Sequence, residues 1–425
     1  MLRHIFKNSK RLEAFLLALN LKLYEPQRRH ITHVIDALLV CDDKKTLSAL
    51  HRQIVDPPSD AYALCDCFRQ SPWQGDHIRQ QLTPYLVGQA LARAEVKGEP
   101  RIIYLGGDDS LTEKDKATEH LEAVDWHIDH IESTKKKKVY KKGLVHTHLH
   151  MKIGSQEATV NWRLYLREVT VRRLNRKRSK DERLSFKSKY RLIREMILEV
   201  APLLPKGYKV YVLFDSWYAS KKLINLCHRL GFFVLCALKS NRTLDGVQLR
   251  DLARTLRHQP YHKVVLKADS KKPITYLVRS VKGRLNDVPF EVCVFISKRH
   301  YRDTSPAYFL CTDLSLSAQE VLEGYGQRWP VEVDNFYLKT QLGLGDFRVQ
   351  SVEATQKWYA LVFLALAYLQ LRLMEEKSDQ VQTLADVIRR HRAEHVQIVF
   401  HAACRMAHKT NNFNKVMDRF FCLAA

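Results

Sequence analysis

The order of the apolar runs between residues 101 and 240 constrains the fold more than any other feature of the sequence. Three strand-like runs come first, "RIIYLGGDDS" (101–110), "LVHTHLHMKIG" (144–154) and "ATVNWRLYLREV" (158–169). Two more, "YKVYVLFDS" (208–216) and "FFVLCALKSN" (232–241), alternate with helical segments. This order predicts an α/β fold in which the first and fourth strands end in acidic residues.

The segments on either side of this region have different patterns of apolar residues. Residues before "KGEP" read as helices, 241–305 holds alternating strand-like runs without helix signals, and helices return near 317. An apolar run at 358–374 contains Gln370 and Arg372 and is shorter than the ~20 apolar residues of a membrane span, which favours a buried core helix. The expected units are a helical N-terminal DNA-binding domain (1–98), the first part of the core (99–240), a β-rich insertion (241–305), the second part of the core (306–375), and a C-terminal helical region that is a candidate for dimerisation (376–425).

Charge predicts a polyanionic partner. The chain has 70 Lys and Arg against 46 Asp and Glu, a net charge of +24, and nucleic acid is the usual partner of such a protein. Two basic stretches, 135–142 and 172–180, are candidates for contacts with the DNA backbone. The nine cysteines have no framework spacing and the N-terminus has no signal-peptide pattern, so we expect reduced thiols and a cytoplasmic location.

The stretch "YGQRWPVEVDNFYLK" (325–339) has a regular spacing of polar groups. Tyr325 is followed at +3 by Arg328, at +7 by Glu332 and at +14 by Lys339. At about 100° per residue these four side chains form one narrow stripe on a continuous helix. Pro330 either kinks that helix or lies at the start of a fresh one.

Three acidic positions can come together in the predicted fold. Asp108 or Asp109 ends the first strand, Asp215 ends the fourth, and Glu332 lies on the later helix. Carboxylates at strand ends and on a helix that crosses the sheet can converge on a pair of Mg²⁺ ions, which prefer oxygen ligands. Among 46 acids such a triple is weak evidence by itself.

The motifs resemble those of bacterial insertion-sequence transposases of the DDE class. Tyr-x2-Arg-x3-Glu-x6-Lys is the signature of a large group of them, the YREK group, and the 325–339 stretch matches it at every spacing. "DDS" (108–110) resembles the first-acid motif of the group and "LFDSWYAS" (213–220) its second. The β-rich segment falls where these transposases carry an insertion domain. The resemblance covers roughly residues 100–375.

The resemblance implies an RNase H-like core with a mixed sheet. Its three acids, Asp109, Asp215 and Glu332, would hold two Mg²⁺ ions, for which Mn²⁺ can substitute. Asp109 is chosen because the acid of the family directly precedes Thr or Ser, and Asp108 is the alternative. The implied DNA contacts are Tyr325, Arg328 and Lys339 on phosphates, with Trp329 either stacked on a base or packed in the core.

The implied function is cut-and-paste DNA transposition. It would proceed by strand cleavage and strand transfer, with a hairpin at the cut end, in a homodimer that binds terminal inverted repeats and target DNA. Two alternatives are a DNA-binding descendant without catalysis and a metal-dependent nuclease of the same superfamily. Terminal inverted repeats beside the gene would distinguish the transposase from both.

One further cluster is His146, His148 and His150, which alternate along a strand and therefore share a face. Three imidazoles are able to bind zinc. We expect instead that this triplet lies on an exposed or DNA-facing surface.

Overall fold

The computed structural model describes residues 2–57, 59–129, 132–134, 136–267 and 272–421. It has fourteen α-helices in these ranges: α1 Lys10–Ala18, α2 Glu25–Val40, α3 Leu47–His51, α4 Ala61–Arg69, α5 Gly75–Val96, α6 Glu168–Asn175, α7 Lys189–Val200, α8 Lys221–Arg229, α9 Leu249–Thr255, α10 Ala318–Gly326, α11 Trp329–Phe336, α12 Val352–Glu376, α13 Leu384–Thr410 and α14 Phe413–Phe420. The strands are β1 Ile102–Glu113, β2 Asp125–Ile128, β3 Tyr140–Ile153, β4 Gln156–Tyr165, β5 Lys209–Phe214, β6 Phe233–Leu238, β7 Thr243–Leu244, β8 Val247–Gln248, β9 His262–Leu266, β10 Ile274–Gly283, β11 Val292–Lys298 and β12 Ala307–Cys311.

A ten-stranded mixed sheet organises the molecule. Its order is β2-β3-β1-β5-β6-β12-β11-β10-β9, with β4 paired to β3. The central strands β1, β5 and β6 are parallel, whereas β3 and β12 flank them in antiparallel pairing. The predicted α/β fold with a large mixed sheet is confirmed.

The strands between 241 and 311 are continuous with that sheet. β12 pairs with β6, and β11, β10 and β9 follow as an antiparallel meander. The segment also contains α9, which the sequence did not predict, and the short β2 was missed as well. Short amphipathic segments such as these carry little periodic signal, so packing decides their conformation.

Helices at both ends of the chain pack together. The helical prediction for the first 98 residues is confirmed, and α2 contacts both α12 and α13. α12 is long and apolar enough to cross a membrane, but nearly all of its side chains are buried inside the protein. The prediction of a buried core helix is therefore confirmed. The eight cysteines among the described residues are all free thiols.

The histidines of β3 are buried, so the prediction of an exposed face was wrong. His146, His148 and His150 are at most 2% exposed. They share one face, as the alternation predicted, but helices cover both faces of this strand. The His146 ring lies 5.7 Å from the ring of Phe363 in α12. Burial lowers the pKa of His148 to about 4, with smaller effects from its charged neighbours, so this imidazole is neutral.

A buried polar network fixes α11 to the sheet. Asp334 in α11 accepts hydrogen bonds from His150 Nδ1 in β3 (2.6 Å), from the Thr159 hydroxyl in β4 (2.5 Å) and from Gln370 Nε2 in α12 (2.9 Å). Gln370 Oε1 in turn accepts the backbone N–H of Thr159 (3.0 Å). Burial lowers the pKa of His150, but the Asp334 carboxylate raises it more, so the net pKa is above its usual value. Asp334 and His150 thus form a buried ion pair when His150 is protonated.

Asp334→Asn is expected to lower the free energy of unfolding by about 3 kcal/mol, because it breaks a buried pair. The loss should be larger at pH 6 than at pH 9. The folded pKa of His150 is raised, so its contribution is full below the unfolded pKa of about 6.5 and disappears as pH rises through the folded pKa. Urea denaturation at the two pH values measures the difference.

Thr159→Val is the matched control for this prediction. It removes a hydrogen bond to the same Asp334 carboxylate without changing a charge. Its cost should be nearly the same at both pH values. An equal cost of Asp334→Asn at pH 6 and pH 9 would contradict the ion pair.

Candidate active site

Two acids flank the point where the parallel pairing of β1 with β5 stops. Asp215 follows the end of β5, as predicted, but Asp108 lies inside β1, which continues to Glu113 paired with β3, so the prediction that the first strand ends at its acids was wrong. β1 pairs with β5 in parallel register up to Gly106 opposite Leu213. Asp108 and Asp215 each lie two residues beyond that pair, so they flank the end of the β1–β5 ladder. Asp215 is half-buried, and its Oδ1 accepts the backbone N–H groups of Trp217 (2.9 Å) and Tyr218 (3.1 Å).

The two consecutive acids of β1 face opposite sides of the sheet, because neighbouring side chains of a strand alternate. Gly106 faces α11, and a Cβ there would lie 2.8 Å from Val331 Cγ2. Gly107 faces α7, where a Cβ would lie 3.3 Å from Ile193 Cδ1. Asp108 follows the side of Gly106, and its Oδ2 accepts a hydrogen bond from Arg328 Nη1 (2.8 Å).

Asp109 lies on the α7 side. Its Oδ2 accepts a hydrogen bond from Lys189 Nζ (2.6 Å) and its Oδ1 accepts one from the Tyr218 hydroxyl. The structure therefore groups Asp108, rather than Asp109, with the helix that carries Glu332.

Glu332 is joined to Asp108 through Arg328. The guanidinium donates from Nη1 to Asp108 and from Nη2 to Glu332 Oε1 (3.1 Å). Arg328 comes directly before α11, in the break between α10 and α11, and Pro330 is the second residue of the new helix. A continuous helix through 325–339 was therefore the wrong expectation, and the alternative of a fresh helix at Pro330 is confirmed to within one residue.

The Asp108 carboxyl is held in a pocket that disfavours its charge. Burial raises the pKa of Asp108 to about 7, Arg328 opposes the rise, and the neighbouring Asp215 and Asp109 add to it. Arg328 thus only partly compensates the charge of Asp108 beside Asp215. An added cation at this point would stabilise the charged form of Asp108.

The remaining residues of the 325–339 stretch line the same region. The Tyr325 ring packs on Phe309, with the two ring centres 4.9 Å apart, and the Arg328 guanidinium interacts electrostatically with the Tyr325 hydroxyl. Lys339 lies in a π-helical turn, Tyr337–Gln341, and interacts electrostatically with Glu113, Glu332 and Asp109. Trp329 is 68% exposed, which excludes the core-packing alternative for this side chain.

Sequence reasoning missed the residues of α7 and of the turn after β5. Lys189, Tyr190 and Tyr218 contact either Asp109 or the turn that holds Asp215. Tyr218 carried a weak signal, since it lies within the "LFDSWYAS" motif. Lys189 lies in a segment that showed only helical periodicity, and no feature of the sequence marks it.

The basic stretches are partly neutralised. Lys141 forms ion pairs with Glu113 (3.0 Å), Asp129 (2.7 Å) and Glu132 (2.8 Å). In the second stretch, Arg178 pairs with Glu353 (2.5 Å). Lys135 lies outside the described residues.

A second group of metal-type side chains lies in the helical layer. Asp36 of α2 and His391 and His395 of α13 are fully buried, with three ligand-type atoms within 4.8 Å of one another. Both histidines donate from Nε2 to Asp36 Oδ1, at 2.7 and 2.9 Å. Arg372 Nη1 lies 3.5 Å from His391 Nδ1, which leaves the His391 proton on Nε2. These contacts describe a hydrogen-bonded junction between α2 and α13.

The acids of the candidate active site fit divalent cations by their chemistry. Asp108, Asp215 and Glu332 offer hard oxygen donors, and the raised pKa of Asp108 shows that burial and the adjacent carboxylates leave negative charge poorly compensated there. Within the described part of the chain, only the Asp36 group brings three metal-type ligand atoms within 4.8 Å, so the three acids are more widely spaced. The Arg328 guanidinium lies between Asp108 and Glu332.

A family model matches the chain. Residues 22–280 match the family model described as DDE superfamily endonuclease, a range that includes Asp108 and Asp215 but ends before Glu332. No curated protein matches the chain. Since the match extends over more than half of the sequence, the chain belongs to the DDE superfamily endonuclease family.

Proposed function

We propose that the protein is a DNA transposase of the YREK group, with an RNase H-like core, that catalyses cut-and-paste transposition of an insertion sequence. The observation that carries the proposal is the grouping of Asp108, Asp215 and Glu332 where the β1–β5 ladder ends, with Arg328 between two of them. Membership of an endonuclease family supports the reaction class. The hairpin end, the homodimer and the inverted repeats belong to the proposal through the motif resemblance, and the cytoplasmic location through the scattered cysteines.

Asp108 is the first acid of the proposed triad. It faces the helix of Glu332, whereas both oxygens of Asp109 already accept hydrogen bonds on the other side of the sheet. This assignment replaces the Asp109 expected from the motif resemblance. Asp215 and Glu332 keep their expected roles.

Bound Mg²⁺ ions would activate the attacking oxygen and stabilise the leaving oxygen of the phosphodiester. The chain itself supplies the three carboxylates and holds two of them in place. Asp215 is fixed by two backbone N–H groups, and α11 is fixed by the Asp334 network two residues from Glu332.

The cationic residues would bind DNA. Cations entering between the carboxylates would compete with Arg328, whose guanidinium would then be free for a bidentate contact with a phosphate. Lys339 would act as a point charge on the backbone and Tyr325 as a hydroxyl donor. The Trp329 ring, exposed on the first turn of α11, would stack on an unpaired base.

Asp108→Asn, Asp215→Asn and Glu332→Gln are each expected to lower Mg²⁺-dependent cleavage by about a thousandfold or more, since each removes several kcal/mol of metal-borne stabilisation. Asp109→Asn is expected to lower it by only about ten- to a hundredfold. The measurement is cleavage of duplex DNA from the flanks of the gene.

DNA affinity without metal is the control for these variants and should stay close to that of the native protein. An inactive Asp109→Asn variant together with an active Asp108→Asn variant would contradict the assignment of Asp108 as the first acid. Equal binding with no cleavage by the native protein would favour the non-catalytic descendant. Cleavage without preference for a repeat boundary would favour the nuclease.

Lys339→Ala is expected to weaken duplex binding and to reduce the slope of log affinity against log salt by about 1, because one phosphate contact is lost. Fluorescence anisotropy at several salt concentrations measures both. Lys97→Ala is the control, because this exposed lysine precedes the opposite end of β1. The same change in slope for both variants would show that Lys339 acts only through net charge.

A further inference from the structure

The second acid of β1 has a role that the proposed metal site leaves unexplained. Asp109 is largely buried, and its two carboxylate oxygens each accept a hydrogen bond, one from Lys189 Nζ (2.6 Å) and one from the Tyr218 hydroxyl. Lys189 also balances the charge of Asp109. A neighbouring carboxylate is thereby turned away from Asp108 and neutralised, instead of competing for the same cation.

Tyr218 connects the two strands that carry acids. Its backbone N–H donates to Asp215 Oδ1 (3.1 Å), just after β5, and its hydroxyl donates to Asp109 in β1. The side chain is fully buried. Burial and the adjacent Asp109 carboxylate raise the pKa of Tyr218 well above its usual value, so the phenol keeps its proton and is the donor.

The first turn of α7 packs against Tyr218 and the turn after β5. The Tyr190 hydroxyl donates to the carbonyl oxygen of Trp217 (2.8 Å), and the Tyr190 ring packs edge-on against Tyr218 at 5.6 Å. Lys189, the residue before Tyr190, binds Asp109. Two consecutive residues of one helix therefore contact both Asp109 in β1 and the turn after β5.

We propose that Tyr218 and Lys189 are positioning residues for the active site, acting through Asp109 to set the spacing of Asp108 and Asp215. This inference rests on the proposed metal-dependent function. Asp109 is the backbone neighbour of Asp108, so a shift of Asp109 moves Asp108. The backbone N–H of Tyr218 donates to the Asp215 carboxylate, so a movement of the Tyr218 ring also reaches Asp215. Loss of either donor to Asp109 would loosen both carboxylates and weaken cation binding, as for residues that orient metal ligands.

Mn²⁺ binding measured by isothermal titration calorimetry on the full-length protein tests the proposal. Tyr218→Phe keeps the ring and removes the hydroxyl, and it should weaken Mn²⁺ binding by about tenfold or more. Lys189 is more exposed than Tyr218, so its replacement disturbs the protein core less. Lys189→Met should weaken Mn²⁺ binding to a similar extent, and it tests the proposal even if Tyr218→Phe fails to fold. The Mg²⁺ concentration for half-maximal DNA cleavage should rise in parallel.

Tyr211→Phe is the matched control. Tyr211 lies in β5 and is also buried, and its hydroxyl likewise donates to an aspartate, Asp313 Oδ2 (2.7 Å), away from the acids of the site. This variant loses the same kind of hydrogen bond, so thermal unfolding should report a comparable loss of stability. Its Mn²⁺ affinity should stay within about twofold of the native value.

The outcomes separate the two proposals. If Tyr218→Phe and Lys189→Met both cleave DNA and bind Mn²⁺ as well as the native protein does, the positioning role is overturned. The proposed transposase function is not affected by that result. Weaker Mn²⁺ binding by these two variants, but not by Tyr211→Phe, would support the positioning role even if cleavage is absent. A native protein that binds no Mn²⁺ would overturn both.

Discussion

The parallel pairing of β1 with β5 is the constraint on which the site depends. It brings Asp108 and Asp215 together just beyond the last β1–β5 pair, although 107 positions separate them in the sequence. The absence of a side chain at Gly106 then lets α11 approach this strand closely, and α11 brings Glu332 to the same face. A larger residue at Gly106 would push α11 outward and separate the third acid from the first.

Charge and burial compete at this site, and the outcome explains several contacts. Burying carboxylates near one another is costly unless cations compensate them. On one side of β1, Arg328 partly compensates Asp108 and Glu332. On the other side, Lys189 compensates Asp109. The same balance holds beneath α11, where Asp334 accepts three hydrogen bonds and pairs with His150. The buried polar side chains that hold Asp334 thus also fix the position of Glu332 on α11.

Much of this arrangement could be predicted from the sequence. The strands before Asp108 and Asp215, the helix of Glu332 and the buried α12 all have clear periodic patterns. The choice between Asp108 and Asp109 could not be derived, since two adjacent aspartates are chemically identical and only packing against α11 and α7 shows which way each one faces. The burial of His146 was missed for a related reason. Alternation shows that a strand has two faces, but not whether helices cover both of them.

The central claim is that Asp108, Asp215 and Glu332 together bind divalent cations. Anomalous diffraction from crystals of the native protein soaked in Mn²⁺ tests it most directly, because it locates the ions without relying on activity. The account predicts anomalous peaks between these three carboxylates, on the α11 side of β1. Peaks beside Asp109 on the α7 side, or only at Asp36, His391 and His395, would contradict it.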